Sequence, residues 1–116
     1  MFYKNRLYSF WNIGKSVFQL QKLYDNIIDK ISIRYSYKYG MGFTFSRENI
    51  KNMKLFYLCF PIYYDSMNKI SWDHYLKLIY IENSDKRNFY FKILMMHPFS
   101  YSEFILGLEN FFYERI

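Results

Sequence analysis

The sequence contains no alanine, and it has one cysteine, two prolines and two histidines. A single cysteine, Cys59, excludes an internal disulfide, and it excludes a cysteine-rich structural zinc site, because such sites take four ligands. His74 and His97 lie far apart in the sequence, so they predict no metal site either. A lone thiol is typical of a reducing compartment, and we therefore expect a cytoplasmic protein.

A long apolar run is also missing. The longest uncharged apolar stretch is Leu55–Tyr64, and Pro61 interrupts it. A membrane-spanning helix needs about 20 predominantly apolar residues, so we expect no membrane partner. The basic residues Lys4, Arg6 and Lys15 are not followed by an apolar segment with a small-residue cleavage site. The sequence therefore predicts no signal peptide.

The residue types that usually carry catalysis are not arranged for it. Gly40 and Gly42 lack the third glycine and the preceding strand of a phosphate-binding loop. His74 follows Asp73, but adjacent residues on a helix do not face each other, and no nucleophile is placed beside them. We predict a capping and packing role for His74, and a protein that is not an enzyme and needs no cofactor or metal.

What the chain does contain is enough apolar surface to fold. Its 116 residues fit one domain over 1–116, and 52% of them are hydrophobic, which argues against disorder. A domain of this size buries roughly two-thirds of its unfolded surface. Aromatic residues make up 25% of the chain, but Ile, Asn and Lys are abundant as well. Because AT-rich codons favour all of these residues, the aromatic content alone does not indicate base stacking.

Apolar residues recur at steps of three and four, and no segment alternates like a strand. The pattern predicts an all-α protein, a single compact bundle of five or six short helices with a helix-turn-helix-like arrangement. The predicted helices cover about 2–23, 25–37, 47–60, 72–81, 86–96 and 101–115. Gly40 and Gly42 end the second helix, whereas Ser46, Ser71 and Ser100 are predicted N-caps. Gly14, inside the first helix, is interpreted as a close-packing point.

The net charge of +6 is unevenly placed along the chain. No acidic residue precedes Asp25, and the segment Lys30–Lys54 contains six basic residues and one acidic residue. A cationic face of this kind favours nucleic acid or an acidic protein partner. The solvated surface of a lysine-rich protein would show the same pattern, so both interpretations remain open.

The predicted third helix is the best candidate for a binding element. Arg47, Lys51 and Lys54 share one narrow face, at about 100° per residue, and the opposite side is apolar. Amides near the start of this helix could reach base edges, as a major-groove helix requires. An ordinary amphipathic surface helix also has two such sides. The predicted site residues are Lys38, Arg47, Asn49, Lys51, Asn52 and Lys54.

Six segments carry a resemblance to a known family. Residues 39–57, YGMGFTFSRENIKNMKLFY, are similar to the FGxGFSxxNLxxMRxFY stretch of the N-terminal helical domain of the bacterial YhcG-type nuclease family. Residues 70–75 resemble the LSWSHY segment of that domain. The shorter segments 10–15, 87–90, 99–104 and 112–116 resemble its YWxIG+, RxFY, WSxREL and LYERL motifs. The resemblance implies an all-helical, helix-turn-helix-like fold.

In that family the domain precedes a PD-(D/E)XK nuclease domain, and the family is linked to mobile elements and restriction-like systems. The resemblance implies that these 116 residues bind DNA or mediate association, without the magnesium-binding residues of the nuclease. We therefore favour a nucleic-acid-binding accessory or regulatory module that binds DNA rather than RNA, as a monomer or a homodimer. One alternative is a stand-alone protein-protein interaction module, such as a phage-encoded inhibitor of a host defence (CRISPR-type) nuclease complex, which would meet an acidic or RNA-binding protein surface. A third is a piece of a longer nuclease.

Overall fold

The computed structural model describes residues 5–116, and every regular element among them is helical. Six α-helices, α1 to α6, comprise Arg6–Leu20, Ile27–Tyr39, Arg47–Cys59, Trp72–Leu78, Ser84–Met96 and Tyr101–Glu109. Two 3₁₀ turns, Asp65–Lys69 and Tyr113–Arg115, complete the order. The predicted all-α class is confirmed. Within the described range, no helix has both the length and the apolar character needed to cross a bilayer.

The described residues group into two units. One ends at Tyr63 and contains α1, α2 and α3, and the other, Tyr64–Ile116, contains α4, α5 and α6.

Side-chain caps confirm the predicted starts of α3, α4 and α6. The Ser46 hydroxyl accepts a hydrogen bond from the backbone N–H of Asn49 at 3.1 Å. Ser71 and Ser100 cap α4 and α6 in the same way. The Glu103 carboxylate accepts from the backbone N–H of Ser100 at 2.9 Å, which completes the predicted capping box. The starts of these helices are determined by local sequence, because the donor and acceptor of each cap are three residues apart.

Several predicted boundaries are wrong. The first helix ends at Leu20 rather than near residue 23, and its described part begins after Asn5, whose side chain caps it. The residues before Asn5 in that predicted helix lie outside the described residues. The fourth helix ends at Leu78, and the last α-helix ends at Glu109 rather than near residue 115. The chain turns at Phe111, where φ is +55°, so the helix cannot continue.

The first unit is built on the crossing of α1 and α3. Gly14 lies at this crossing, and a Cβ atom there would be 2.0 Å from the carbonyl oxygen of Met53. Only glycine allows the two backbones to approach so closely. Phe10, Val17 and Ile50 are fully buried in the same unit. The interpretation of Gly14 as a close-packing point is confirmed.

The end of α3 is anchored to α1 by Trp11. The indole N–H of Trp11 donates a buried hydrogen bond to the carbonyl oxygen of Phe60 at 2.7 Å. Pro61 follows and cannot donate to a further helical turn. The last turn of α3 is therefore fixed by a contact 49 residues distant in sequence.

α2 is attached to the first unit without a buried side chain of its own. The Ser32 hydroxyl donates to the carbonyl oxygen of Phe45 at 2.7 Å, and the Tyr35 ring stacks on the Phe45 ring with centroids 5.1 Å apart. Gly40 and Gly42, with φ of +106° and +146°, end α2 as predicted. α2 thus lies against the turn that leads into α3 and leaves much of its surface exposed.

The second unit contains the predicted packing histidine. His74 is buried, its Nδ1 accepts from the backbone N–H of Ser71 at 3.1 Å, and its Nε2 donates to the carbonyl oxygen of Phe99 at 2.9 Å. The buried Tyr75 donates its hydroxyl proton to the Met67 carbonyl oxygen at 2.6 Å. Both imidazole nitrogens therefore form hydrogen bonds within the fold, one at the cap of α4 and one to the segment before α6. The predicted capping and packing role of His74 is confirmed.

Candidate functional site

The net positive charge of the described residues lies in the first unit. Residues 5–63 contain nine lysines and arginines against three acidic residues, whereas residues 64–116 contain six against seven. Charges of one sign gathered on one unit raise the local potential and attract anions. The uneven charge along the sequence thus becomes an uneven charge between two structural units.

α3 separates an apolar side from a cationic side. Arg47 and Lys51 are exposed and lie one turn apart on the side away from the core. The residues of α3 that are buried are Asn49, Ile50, Asn52, Met53 and Phe56. The apolar side of α3 is therefore where the sequence predicts it, and two of the three predicted cations reach solvent.

Arg47 forms an exposed ion pair. Its Nη1 lies 3.2 Å from Oδ1 of Asp29 on α2, and the two side chains are 69% and 49% exposed. Exposed pairs of this kind contribute only about 0–1 kcal/mol. Arg47 can therefore exchange this carboxylate for another anion at little cost in stability.

Lys54 is placed differently from the prediction. It is half-buried, and its ammonium donates to Oε1 of Gln21 at 2.6 Å, just after the end of α1. The partner of Lys54 is a neutral amide rather than a carboxylate, so this contact is a hydrogen bond and not an ion pair. Its side chain is held at the α1–α3 contact and does not project beside Arg47 and Lys51.

The prediction that Asn49 and Asn52 reach base edges is wrong. Asn49 is fully buried and Asn52 is 4% exposed. The Asn49 amide donates to the Thr44 carbonyl oxygen at 2.9 Å, and the Asn52 amide donates to Oδ1 of Asn49 at 3.4 Å. Both amides stabilise the turn before α3. The sequence contained a signal for this burial, because Asn49 and Asn52 lie on the same helical face as the apolar Phe56.

α2 adds two exposed cations, Lys30 and Arg34, to the predicted Lys38. Lys30, Arg34 and Lys38 are all exposed and are spaced four residues apart along α2. Lys38, which was predicted as part of the site, lies on the last turn of α2 with its ammonium 5.2 Å from the centroid of the Tyr39 ring. The four-residue spacing of these cations along a helix is a sequence signal that places them on one side of α2.

One cation of the second unit is engaged in holding the fold. Nζ of Lys86 on α5 lies 2.7 Å from Oε2 of Glu114 in the last 3₁₀ turn. This hydrogen bond raises the pKa of Lys86 and lowers the pKa of Glu114. The pair joins two elements of the second unit and offers no excess charge to a ligand.

Fold and surface together define a small all-helical protein with a strongly basic first unit and a nearly neutral second unit. The chain belongs to the DUF1016 N-terminal domain family, whose model matches residues 4–115. This match is consistent with the YhcG-type N-terminal domain that the sequence motifs resemble, and it extends through both units. No curated protein and no solved structure matches the chain significantly. Within residues 5–116, no three His, Cys, Asp or Glu side chains come together as a metal site would require.

Proposed function

We propose that the protein is a non-catalytic DNA-binding module that acts as an accessory or regulatory component, and that its first unit is the DNA-binding part. One observation carries the proposal, namely the excess of nine basic over three acidic residues in residues 5–63. Arg47, Lys51 and Lys38 are exposed cations of this unit. Neutralisation of phosphates by such cations supplies most of the affinity of non-specific DNA binding.

The helical setting of these cations favours duplex DNA over RNA. A helix side chain can enter the major groove of B-DNA, whereas the major groove of an RNA duplex is too narrow for it. α2 and α3 are consecutive helices joined by segment 40–46, which contains Gly40 and Gly42. The order is that of a helix-turn-helix, with a connection longer than the usual turn of about 3–4 residues. This order supports α3 as the helix that approaches the groove with Arg47 and Lys51.

Contacts to phosphate should outweigh contacts to bases. Because Asn49 and Asn52 are buried, the exposed side of α3 lacks the amides that read adenine. Phosphate contacts fix position without reading sequence. We therefore expect weak sequence preference. The YhcG-type family is linked to mobile elements, and this link supports an accessory role in such an element.

The test compares two double variants that remove the same charge. Arg47→Ala with Lys51→Ala should weaken binding to a labelled 20-base-pair duplex by roughly tenfold, or 1.4 kcal/mol, since two phosphate contacts are lost. Lys77→Ala with Lys92→Ala removes two exposed lysines of the second unit and should change affinity less than about twofold. Fluorescence anisotropy at fixed ionic strength measures both.

All four residues are exposed, so circular dichroism should show both variants folded. Equal losses in the two variants would indicate a general charge effect and contradict a site on the first unit. Unchanged affinity of the α3 variant would contradict the proposed contact of Arg47 and Lys51.

A further inference from the structure

A groove of about 600 Å³ lies between α1 and α2 in the first unit. Its aliphatic lining, which we call its floor, consists of Ile13 and Leu20 of α1 together with Ile27 and Ile31 of α2. None of these four side chains is fully buried, and α2 has no buried residue at all. The apolar side of α2 is therefore incompletely covered within its own unit.

The charged residues that line this groove are all positive. Arg34 and Lys38, both exposed, line it from α2, and Asn12 adds a neutral amide from α1. Among the described residues that line the groove, none is acidic. An occupant must therefore combine an apolar surface for the floor with negative charge for Arg34 and Lys38.

We propose that this α1–α2 groove binds an acidic amphipathic helix of a partner protein. Helices dock into grooves by placing one apolar face on the floor, with anchors three and four residues apart. α2 has 13 residues and is about 20 Å long, so a partner helix of about 14 residues would match it. Its flanking carboxylates would pair with Arg34 and Lys38, and the resulting complementarity would select acidic partners.

A nucleic acid fits this groove less well than a helix does. Phosphates and sugars offer no apolar face to cover the isoleucines, and bases stack on aromatic rings rather than on aliphatic side chains. Tyr35 and Tyr39 also line the groove, but they stack on each other with centroids 5.9 Å apart. A second copy of the chain would bring another first unit of the same positive charge.

The test selects helices against the full-length protein. A displayed library of helical peptides of about 14 residues, with randomised surface positions, should yield sequences with apolar residues three and four apart and flanking Asp or Glu. The best labelled peptide should lose at least about tenfold in affinity with Arg34→Glu and with Ile31→Asp. Lys51→Glu makes the same kind of charge change on α3 and should change the affinity less than about twofold.

Several outcomes would overturn this proposal. One is failure to enrich any helix, and another is enrichment of helices without acidic residues. A third is a selected peptide whose binding is unaffected by Arg34→Glu, a side chain exposed enough to be replaced without unfolding. Sedimentation that shows a dimer lost in Ile31→Asp would assign the groove to a second copy instead.

DNA binding can be separated from this outcome. Lys38 lines the groove and is also a proposed phosphate contact, so the competition is measured with all three proposed phosphate contacts removed. If duplex DNA still displaces the peptide from the Lys38→Ala, Arg47→Ala, Lys51→Ala variant, the groove is a nucleic-acid site and the helix proposal is wrong. If the peptide binds while DNA binding fails in every form of the protein, the DNA proposal is wrong and the groove proposal stands.

Discussion

At the scale of single residues, Asn49 shows that a polar side chain beside cations can belong to the interior. The side-chain amide of Asn49 donates a hydrogen bond to the Thr44 carbonyl oxygen, and its Oδ1 accepts a hydrogen bond from the side-chain amide of Asn52. A buried amide of this kind is stabilising only while its partners are present, because an unmatched buried polar group costs about 1–3 kcal/mol. Asn49 therefore matters for the shape of the turn and for where α3 begins.

Asn49→Asp should destabilise the protein by about 3 kcal/mol at neutral pH, since it buries a carboxylate that faces the Thr44 carbonyl oxygen. Burial would raise the pKa of this carboxyl in the folded state. The destabilisation should therefore lessen as the pH falls through that raised pKa, where the carboxyl is protonated and can donate. Urea unfolding at pH 7 and pH 5 measures the difference.

Asn88→Asp is the matched control, because Asn88 is exposed on α5. Its effect on the free energy of unfolding should stay within about 0.5 kcal/mol. If the two variants were equally stable at pH 7, the inward placement of the Asn49 amide would be contradicted.

At the scale of elements, the crossing of α1 and α3 depends on one missing side chain. The carbonyl oxygen of Met53 occupies the place that a Cβ of residue 14 would need, at 2.0 Å. Because that neighbour is backbone rather than a flexible side chain, it cannot move aside without shifting α3. The exposed cations of α3 are thus positioned by Gly14 on another helix.

Gly14→Ala should destabilise the protein by about 3 kcal/mol, the upper range for overpacking, because the two helices must separate. Gly107→Ala in α6 should stabilise it by up to about 1 kcal/mol, since nothing lies within 4 Å of a Cβ there and alanine is the better helix former. Thermal or urea unfolding should show shifts of opposite sign. A Gly14→Ala variant as stable as the natural chain would refute the close crossing.

The elements also show what sequence can predict. The starts at Ser46, Ser71 and Ser100 were predictable because each cap is a bond between residues three apart. The ends at Leu20 and Glu109 were not, since apolar periodicity continues past them while the chain turns away. The same limit applies to the site. Periodicity placed Arg47 and Lys51 on the solvent side of α3, but the tether of Lys54 to Gln21 is a tertiary contact without a local signature.

At the scale of the whole molecule, the division of charge between the units decides how binding should respond to salt. Residues 5–63 contain nine basic and three acidic residues, whereas residues 64–116 are close to neutral. Each phosphate neutralised by a lysine or arginine releases condensed counterions. Ionic strength therefore tests the number of contacts independently of the affinity.

If Lys38, Arg47 and Lys51 each neutralise one phosphate, log affinity should fall with log salt with a slope of about −2.7, at about −0.9 per contact. The Arg47→Ala, Lys51→Ala variant should have a slope shallower by about 1.8, and the Lys77→Ala, Lys92→Ala variant should keep the original slope. Anisotropy titrations between 50 and 200 mM salt give these slopes. Identical slopes for all three proteins would place the phosphate contacts on other residues.

The attachment of α2 through the Ser32 hydroxyl and a stack of rings has a consequence for how the surface can diversify. The exposed positions of α2 are under little packing constraint, so substitutions there cost little folding stability. The sequence at these positions can drift while the glycine-mediated contact of α1 and α3 stays intact. Substitutions on the exposed side of α2 can therefore change the surface that the first unit presents while the crossing of α1 and α3 is kept.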